Sequence, residues 1–413
     1  MARDEIITGL DLGSHTVRIV IGQKVEADNS VQILGVAEQA SEGISKGVIT
    51  SIEDTVSSVS GALERAERMT GMPIERAYVG ISGSHIQSQQ SHGVVAVSKA
   101  DGEISEEDVE RVIEAAQSVA TPPNFETLHV IPRSFSVDNQ TGIKDPIGMT
   151  GIRLEVETQI IQGLSSQIKN LTKCIYRTGL DIEDLILGVL AAAEAVLTHR
   201  QKDLGVALVN IGSSTTSLAV FEEGDIIHTA IIPVGSGHIT NDIAIGLRTS
   251  LDVAEQVKLE FASSQPDEVN KRDEINLGDI SPNETETVSR RHIAEITEAR
   301  VEEIFSMTDK ELKKIERSGL LPAGIILTGG GAKIPGIVET AKKTFQLPCA
   351  IGDPQGVVSS IEKISDPAYT TAIGLVLWGA QAADKGRGFS GTNFSTVTNA
   401  TSKMKKWLKS LMP

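Results

Sequence analysis

Aromatic side chains make up only 3% of the 413 residues, with two Trp, three Tyr and eight Phe. That scarcity weakens any stacking platform for single-stranded nucleic acid. Positive charge is short as well, since 38 Lys and Arg stand against 55 Asp and Glu for a formal net charge of −17. A nucleic-acid partner, which needs a basic face, is not expected. The two cysteines, Cys174 and Cys349, lie far apart and outside any CxxC spacing, which indicates neither a disulfide framework nor a zinc site. A reducing cytoplasm is the default setting. The eight histidines are scattered without metal spacing, and nothing reads as a nucleophile elbow for Ser/His/Asp chemistry. No window approaches the roughly 18 apolar residues of a spanning helix. The apolar run after Met-Ala-Arg-Asp-Glu is broken by Asp11 and Arg18, unlike a secretory signal.

What the chain does have is length and repetition. Its 413 residues exceed one core and suffice for two ordinary domains. Two stretches in opposite halves echo each other: Asp11-Leu12-Gly13-Ser14-His15-Thr16 and Asn210-Ile211-Gly212-Ser213-Ser214-Thr215. Each reads as a strand, a glycine-allowed turn lined with small hydroxyls, and a return strand, Val17 to Ile21 and Leu218 to Phe221. Backbone N–H groups in such a turn can approach phosphate oxygens, so the echo suggests one nucleotide gripped from two sides.

The repetition extends past the turns. Val31 to Glu38 reads as a third strand and Ile52 to Met69 as a helix stopped by Gly71-Met72-Pro73. In the second half, Ile226 to Val234 reads as a strand, and Gly235 to Gly237 lead into a helix from about His238 to Leu247. Between the halves lies a stretch with its own logic. Strand patterns at Ala77 to Ile81, Gly93 to Val97, Thr127 to Val137 and Arg153 to Ile160 surround a helix opened by the capping box Ser105-Glu106-Glu107-Asp108. This predicts an inserted small α/β subdomain. Residues 265 to 317 read as a charged, helix-rich region in which Ile293, Ile296, Val301, Ile304 and Phe305 approach an amphipathic stripe, which fits a solvated helix with one buried face.

A third glycine site follows the strand Ile325 to Thr328: Gly329-Gly330-Gly331-Ala332, then Ile334-Pro335-Gly336 as the opening of a helix with Pro in its first turn. Three glycines in a row suit the approach of something flat or charged to the backbone; a tight strand-to-helix turn is the plainer alternative. Residues 380 to 401 then lose all pattern, and Ser402 can cap a short helix beyond them. Met404, Trp407, Leu408, Leu411 and Met412 share one face of it, and Lys403, Lys405, Lys406 and Lys409 the other. Isolated helices need roughly 12 to 15 residues in water, so this one should fold only when its apolar face is covered. It could pack back on the body as a terminal helix. Anionic lipid is the better fit, since each juxtamembrane lysine gains about 1 kcal/mol and Trp favours the headgroup boundary. One such helix holds weakly, so stable attachment predicts several copies side by side.

The order of phosphate-type turn, insertion, second phosphate-type turn and Gly-Gly-Gly turn resembles the actin-like ATPase superfamily. His129-Val130-Ile131-Pro132 and Gly142-Ile143-Lys144-Asp145-Pro146-Ile147-Gly148-Met149 resemble the inserted subdomain of its bacterial cell-division family, FtsA, and the Lys/Trp/Leu helix is similar to that family's membrane-targeting sequence. The resemblance runs from Ile6 to Met412. It implies an α/β, two-lobed actin-like ATPase fold of duplicated β-β-β-α-β-α-type domains with a small inserted α/β subdomain and a C-terminal amphipathic helix. The first lobe would comprise residues 1–82 and 164–203, the insertion 83–163, the second-lobe core 204–248, an outer charged subdomain 249–318, the second-lobe core with the return to the first lobe 319–380, a flexible linker 381–401 and the membrane helix 402–413. The resemblance further implies ATP and Mg²⁺ as cofactors, a homopolymer on the cytoplasmic face of the membrane at the division septum, and anchoring of filaments of the tubulin-like FtsZ. The FtsZ C-terminal peptide would dock within about residues 250 to 320, and later division proteins would be recruited.

Carried over by motif, Asp11, Gly13, Ser14, His15 and Thr16 match the first phosphate turn, with Asp11 orienting water around the magnesium. Gly212, Ser213, Ser214 and Thr215 match the second, and Gly235, Gly237 and His238 approach phosphates and sugar. Glu255 and Lys258, one helical turn apart, match ribose and adenine contacts, although by themselves they also read as a surface pair. Gly329, Gly330, Gly331 and Lys333 match the adenosine turn. Two departures bear on chemistry. Asn210 stands where hydrolysing relatives usually place Asp, and Gly188-Val189 where they often carry Glu-Pro. General-base help is typically worth about 10²- to 10⁴-fold, so hydrolysis should be slow or absent, with Asn210 a weakened counterpart of Asp11 and no catalytic residue assigned. A related alternative is the actin-like cytoplasmic scaffold of type IV pilus assembly, which lacks such a tail. A phosphotransferase would need a base Asp at the cleft that the sequence does not identify.

Overall fold

The computed structural model describes residues 6–25, 30–120 and 122–386. The expected membrane helix, residues 402–413, and most of the expected linker lie outside them. The first lobe opens with β1 (Ile6–Leu12), β2 (Thr16–Lys24), β3 (Val31–Ala40), a short hairpin of β4 (Ile44–Ser45) and β5 (Val48–Ile49), α1 (Ile52–Thr70) and β6 (Arg76–Ile81). The insertion follows as β7 (Ile86–Ala96), α2 (Glu106–Ala120), β8 (Phe125–Val137), β9 (Gln140–Ile143) and β10 (Arg153–Leu164). The chain returns through α3 (Ser165–Arg177), β11 (Asp181–Leu187), α4 (Gly188–Val196) and α5 (His199–Leu204). The second lobe contains β12 (Val206–Ile211), β13 (Thr216–Glu222), β14 (Asp225–Ile232), α6 (Gly237–Leu247), α7 (Leu251–Phe261), β15 (Glu274–Asn276), β16 (Thr287–Ser289), α8 (Arg290–Lys314), β17 (Ile325–Thr328), α9 (Ile337–Phe345) and β18 (Cys349–Ile351). Then β19 (Val357–Val358) and α10 (Thr370–Gly386) go back to the first lobe.

The two lobe sheets have the order β11-β6-β1-β2-β3-β19 and β14-β13-β12-β17-β18, and the insertion has its own sheet, β7-β10-β8-β9. In each lobe an antiparallel three-strand meander is joined by parallel strands: β1 pairs with β6, and β12 with β17. The duplicated actin-like α/β architecture is therefore present. Local chemistry sets the element ends. Ser51 accepts from the Asp54 N–H at the start of α1, and Gly71 closes that helix at φ 70, a left-handed position that glycine adopts without strain. In the capping box of α2, the Asp108 N–H donates to Ser105 Oγ while the Ser105 N–H donates to Asp108 Oδ2.

Two helices weld the lobes. Almost every residue of α4 is buried, as a helix apolar on all sides must be. It lies against α10, and one continuous core joins Val20 and Val36 of the first lobe to Leu208 and Phe221 of the second through Ala192, Ala193 and Ile373. Ser82 Oγ also lies 3.3 Å from Ser217 Oγ across the lobes.

Several expectations change in detail. The insertion strand expected from Gly93 already starts at Ile86. In the region 265–317 only α8 is a long helix; β15, β16 and short 3₁₀ turns fill the rest, because its Pro, Gly and Asn residues favour turns. Pro335 precedes the helix instead of sitting in its first turn, since Gly336 at φ 80 intervenes and the Pro335 carbonyl accepts from the Ser264 N–H. The helix α10 continues to Gly386, six residues into the expected linker, as the good helix formers of Gln381-Ala382-Ala383 permit. Among the described residues no helix is long and apolar enough to cross a membrane.

Candidate functional site

The turn between β1 and β2 is tight by construction. A Cβ on Gly13 would stand 2.6 Å from the Thr16 carbonyl oxygen, so only glycine fits. Ser14 Oγ accepts from the Gly47 N–H and the His15 carbonyl accepts from the Ser41 N–H, which fixes the turn from below while the His15 side chain stays exposed. The second turn repeats the geometry with the Gly212 N–H donating to the Thr215 carbonyl at 2.9 Å. Here the start of α6 supports it: the Gly212 and Ser213 carbonyls accept from the Ser236 and Gly237 N–H groups, each at 2.8 Å. A Cβ on Gly235 would lie 2.5 Å from the Gly212 oxygen, and one on Gly237 2.9 Å from Ser213 Oγ. His238 turns inward on this support, its Nδ1 accepting from the Gly235 N–H at 3.2 Å.

The Gly-Gly-Gly turn divides by role. Gly329 has φ 85, and a Cβ there would be 2.4 Å from Asn210 Oδ1; a Cβ on Gly331 would be 2.4 Å from Ile211 Cγ2. Packing thus accounts for two of the three. Gly330 is exposed with nothing nearer than 4.0 Å to its missing Cβ, so the open backbone approach is there. Lys333 at the end of the turn pairs with Asp366 at 2.7 Å. On α7, Lys258 Nζ reaches Glu255 Oε2 at 2.7 Å and Thr240 Oγ1 at 2.9 Å, with its side chain only 10% exposed, so this is more than a surface pair. Burial pushes the Glu255 carboxyl up, but hydrogen bonds from Lys258 and Thr240, with His15 of the first turn adding to them, hold it below its ordinary value.

Asp11 and Asn210 hold equivalent strand positions and have unlike surroundings. Burial pushes the Asp11 carboxyl up to about 6, opposed by Arg18, its cross-strand partner in the β1–β2 pair. Asn210 Nδ2 donates to Thr371 Oγ1 at 3.1 Å. Arg18 and Thr371 were not singled out from sequence. A cation inside the apolar alternation of β2 was the available signal for Arg18, whose guanidinium also lies 5.4 Å from the ring centre of Tyr369 and 3.8 Å from Glu38. For Thr371 no local signal exists.

These groups fit a nucleotide with one divalent cation. Among the described residues no cluster of three or more His, Cys, Asp and Glu could hold a metal by itself. Mg²⁺ suits such a place, because it keeps several waters and takes few protein carboxylates beside phosphate oxygens. Asp11 would orient those waters, and the paired turns offer backbone amides and hydroxyls to the phosphates.

The family profile "Cell division protein FtsA" matches residues 207–374, and "SHS2 domain inserted in FTSA" matches residues 83–162. The chain is 38% identical to the cell division protein FtsA of Pseudomonas aeruginosa, over 98% of each chain. It is 39% identical to that of Bacillus subtilis, over 93% of this chain and 85% of the other, and 31% identical to that of Escherichia coli, over 98% and 96%. Among solved structures, a chain of a PilM–PilN type IV pilus biogenesis complex superposes with a TM-score of 0.67 at 16% identity, covering 91% of this chain and 98% of that one. MreB5 of Spiroplasma citri bound to ADP superposes at 0.54, with 16% identity and 92% and 99% coverage. At those identities the two structures share the fold alone.

Proposed function

Because the chain belongs to the FtsA family of cell-division proteins, we propose that it is an actin-like scaffold that binds ATP with Mg²⁺ between its lobes and polymerises on the cytoplasmic face of the membrane. It anchors FtsZ filaments there through its C-terminal amphipathic helix and helps to recruit later division proteins. What supports the nucleotide part is a pair of glycine turns lined with small hydroxyls that end equivalent hairpins of the two lobes, with the half-buried Asp11 carboxylate behind the first and Thr371 of α10 near both Asp11 and Asn210. Asp11, Ser14, Thr16, Ser213, Ser214 and Thr215 bind and orient the phosphates, Gly330 leaves the backbone open to the adenosine, and Glu255 with Lys258 meets the sugar and base. ATP binding favours the polymer by closing the lobes on themselves.

Hydrolysis has little support in the cleft. Asn210 is neutral and its amide is engaged by Thr371, and Gly188 offers no side chain to position water. ATP turnover should therefore be slow or absent; a steady-state phosphate-release rate matching that of a sugar kinase would refute this. For the FtsZ peptide, an open groove of about 500 Å³ beside α7 supports docking in the outer part of the second lobe. Phe261, Ile275 and Ile280 give it an apolar floor, and Glu260, Glu274 and Asp279 an acidic rim.

The pilus scaffold reading rests on a shared fold, whereas the sequence relatives at 31% to 39% identity are division proteins. Co-sedimentation with anionic liposomes in the presence of ATP separates the two, comparing the intact chain with Trp407→Glu and with a chain ending at Ala400. The intact chain should pellet and the other two remain in the supernatant; equal pelleting of all three would remove the membrane anchor.

A further inference from the structure

Asn210 has a use that its charged counterpart could not serve in the same way. Its Nδ2 donates to Thr371 Oγ1 at 3.1 Å, and Thr371 is buried in the first turn of α10. The methyl group of Thr371 points into the first lobe: its Cγ2 stands 3.6 Å from where a Cβ on Gly80 would be and 3.4 Å from where one on Gly188 would be. Asp11 Oδ1 lies 3.5 Å from that same point above Gly80. One residue thus touches the second phosphate turn's strand with its hydroxyl and the first lobe with its methyl, with the Asp11 carboxylate close by. The neighbouring ties, Thr328 Oγ1 to Thr370 Oγ1 at 2.7 Å and the Gly329 N–H to the Pro367 carbonyl at 3.0 Å, fix the start of α10 to the second lobe. They do not reach the first.

We infer that Thr371 is a positioning residue which, by a neutral bond to Asn210, sets the spacing of the two phosphate turns without a divalent cation. An Asp at 210 could still accept from the Thr371 hydroxyl, but it would add a second negative charge across Thr371 from Asp11 in a partly buried cleft. Like charges so placed repel, and a divalent cation between them relieves the repulsion. With Asn the spacing holds in the metal-free chain, and magnesium acts only on the nucleotide. The inference rests on the cleft being the nucleotide site for its meaning, but its geometry concerns the empty protein.

The full chain is melted without nucleotide, in EDTA and in millimolar magnesium, as wild type, Asn210→Asp, Thr371→Val and Thr371→Ser. Wild type should melt alike in both solutions, and Thr371→Ser, which keeps the hydroxyl but loses the methyl contact with the first lobe, should melt slightly lower in both. Thr371→Val, which removes the acceptor of the half-buried Asn210 amide, should melt lower in both by about 2–4 °C. Asn210→Asp should melt lower in EDTA and recover in magnesium, a dependence that a merely structural hydrogen bond would not produce. Titration of a fluorescent ATP analogue adds the functional readout: removing magnesium should weaken Asn210→Asp about tenfold more than wild type. Magnesium-independent melting of Asn210→Asp, or a Thr371→Val chain that melts and binds like wild type, would overturn the inference. If no variant binds the analogue while the melting pattern stands, the clasp is supported and the nucleotide reading alone falls.

Discussion

Gly235→Ala tests the second phosphate turn most directly. The added methyl would lie 2.5 Å from the Gly212 oxygen and 2.7 Å from the Ser213 oxygen. Both are backbone atoms, so no side chain can rotate to make room. An ordinary contact needs about 3.5 Å, and the turn must therefore retreat by about 1 Å. The same two carbonyls accept from the Ser236 and Gly237 N–H groups at 2.8 Å, and a retreat of that size takes both bonds out of range. Two backbone hydrogen bonds at about 1 kcal/mol each, or the equivalent overpacking strain, put the penalty at about 2–3 kcal/mol. That strain acts on the amides offered to phosphate, so affinity for a fluorescent ATP analogue should fall by between about tenfold and a hundredfold. The core strands β12 and β13 lie behind the turn, and circular dichroism should still register a folded chain whose melting temperature is lower by several degrees. A folded variant that binds within about threefold of wild type would refute the assignment of this turn to phosphate.

Two further outcomes follow from single residues. With its carboxyl pushed up to about 6 by burial, Asp11 carries a proton in much of the nucleotide-free population below that pH, and affinity for ATP with magnesium should fall as pH is lowered through about 6. Asp11→Asn should bind weakly with a flat pH profile; an unchanged slope would place the titrating group elsewhere. For stability the sign is opposite: the raised carboxyl favours the folded state below its ordinary value of 3.8, and that contribution is lost as pH rises through about 6. Gly61→Ala, in the middle of α1, meets only the Gln39 side chain at 3.4 Å, an ordinary contact, so it should stabilise the chain by about 1 kcal/mol in denaturant melts and leave nucleotide affinity alone.

Features written in a few neighbouring residues were legible in the sequence. Ser51 and Gly71 bound α1, Ser105 and Asp108 form their box, and the two glycine turns stand where the echo put them, because each depends on contacts within a few positions. Other features depend on which distant strand arrives. Arg18 looked like an interruption of an apolar run, yet it is the cation facing Asp11 across β1 and β2, with Glu38 and Tyr369 around it. His129 stood out only through family resemblance. Its physical use is to accept from the Leu187 N–H at 3.0 Å beside Trp378, which docks the insertion on β11 and α10. The Gly-Gly-Gly turn was half legible: the run of glycines marked a place where backbone comes close to something, but Ile211 and Asn210 of this same chain answer for two of them.

The echo of the two hairpins is symmetric in backbone and asymmetric in chemistry. Both turns are shaped by a glycine whose Cβ would meet the carbonyl three residues on. Behind the first stands a carboxylate that burial makes costly to ionise, so a cation arriving with phosphate gains from it. Behind the second stands an amide already spent on Thr371. A cleft meant for rapid turnover would need a second group free to pull a proton from water, and that group is the one converted into a link between the lobes. The lobes in turn share a continuous core through α4 and α10, which limits how far they can open. In the proposed function, a nucleotide entering such a cleft changes the set of the lobes by small amounts, and a polymer of many copies sums those amounts into assembly.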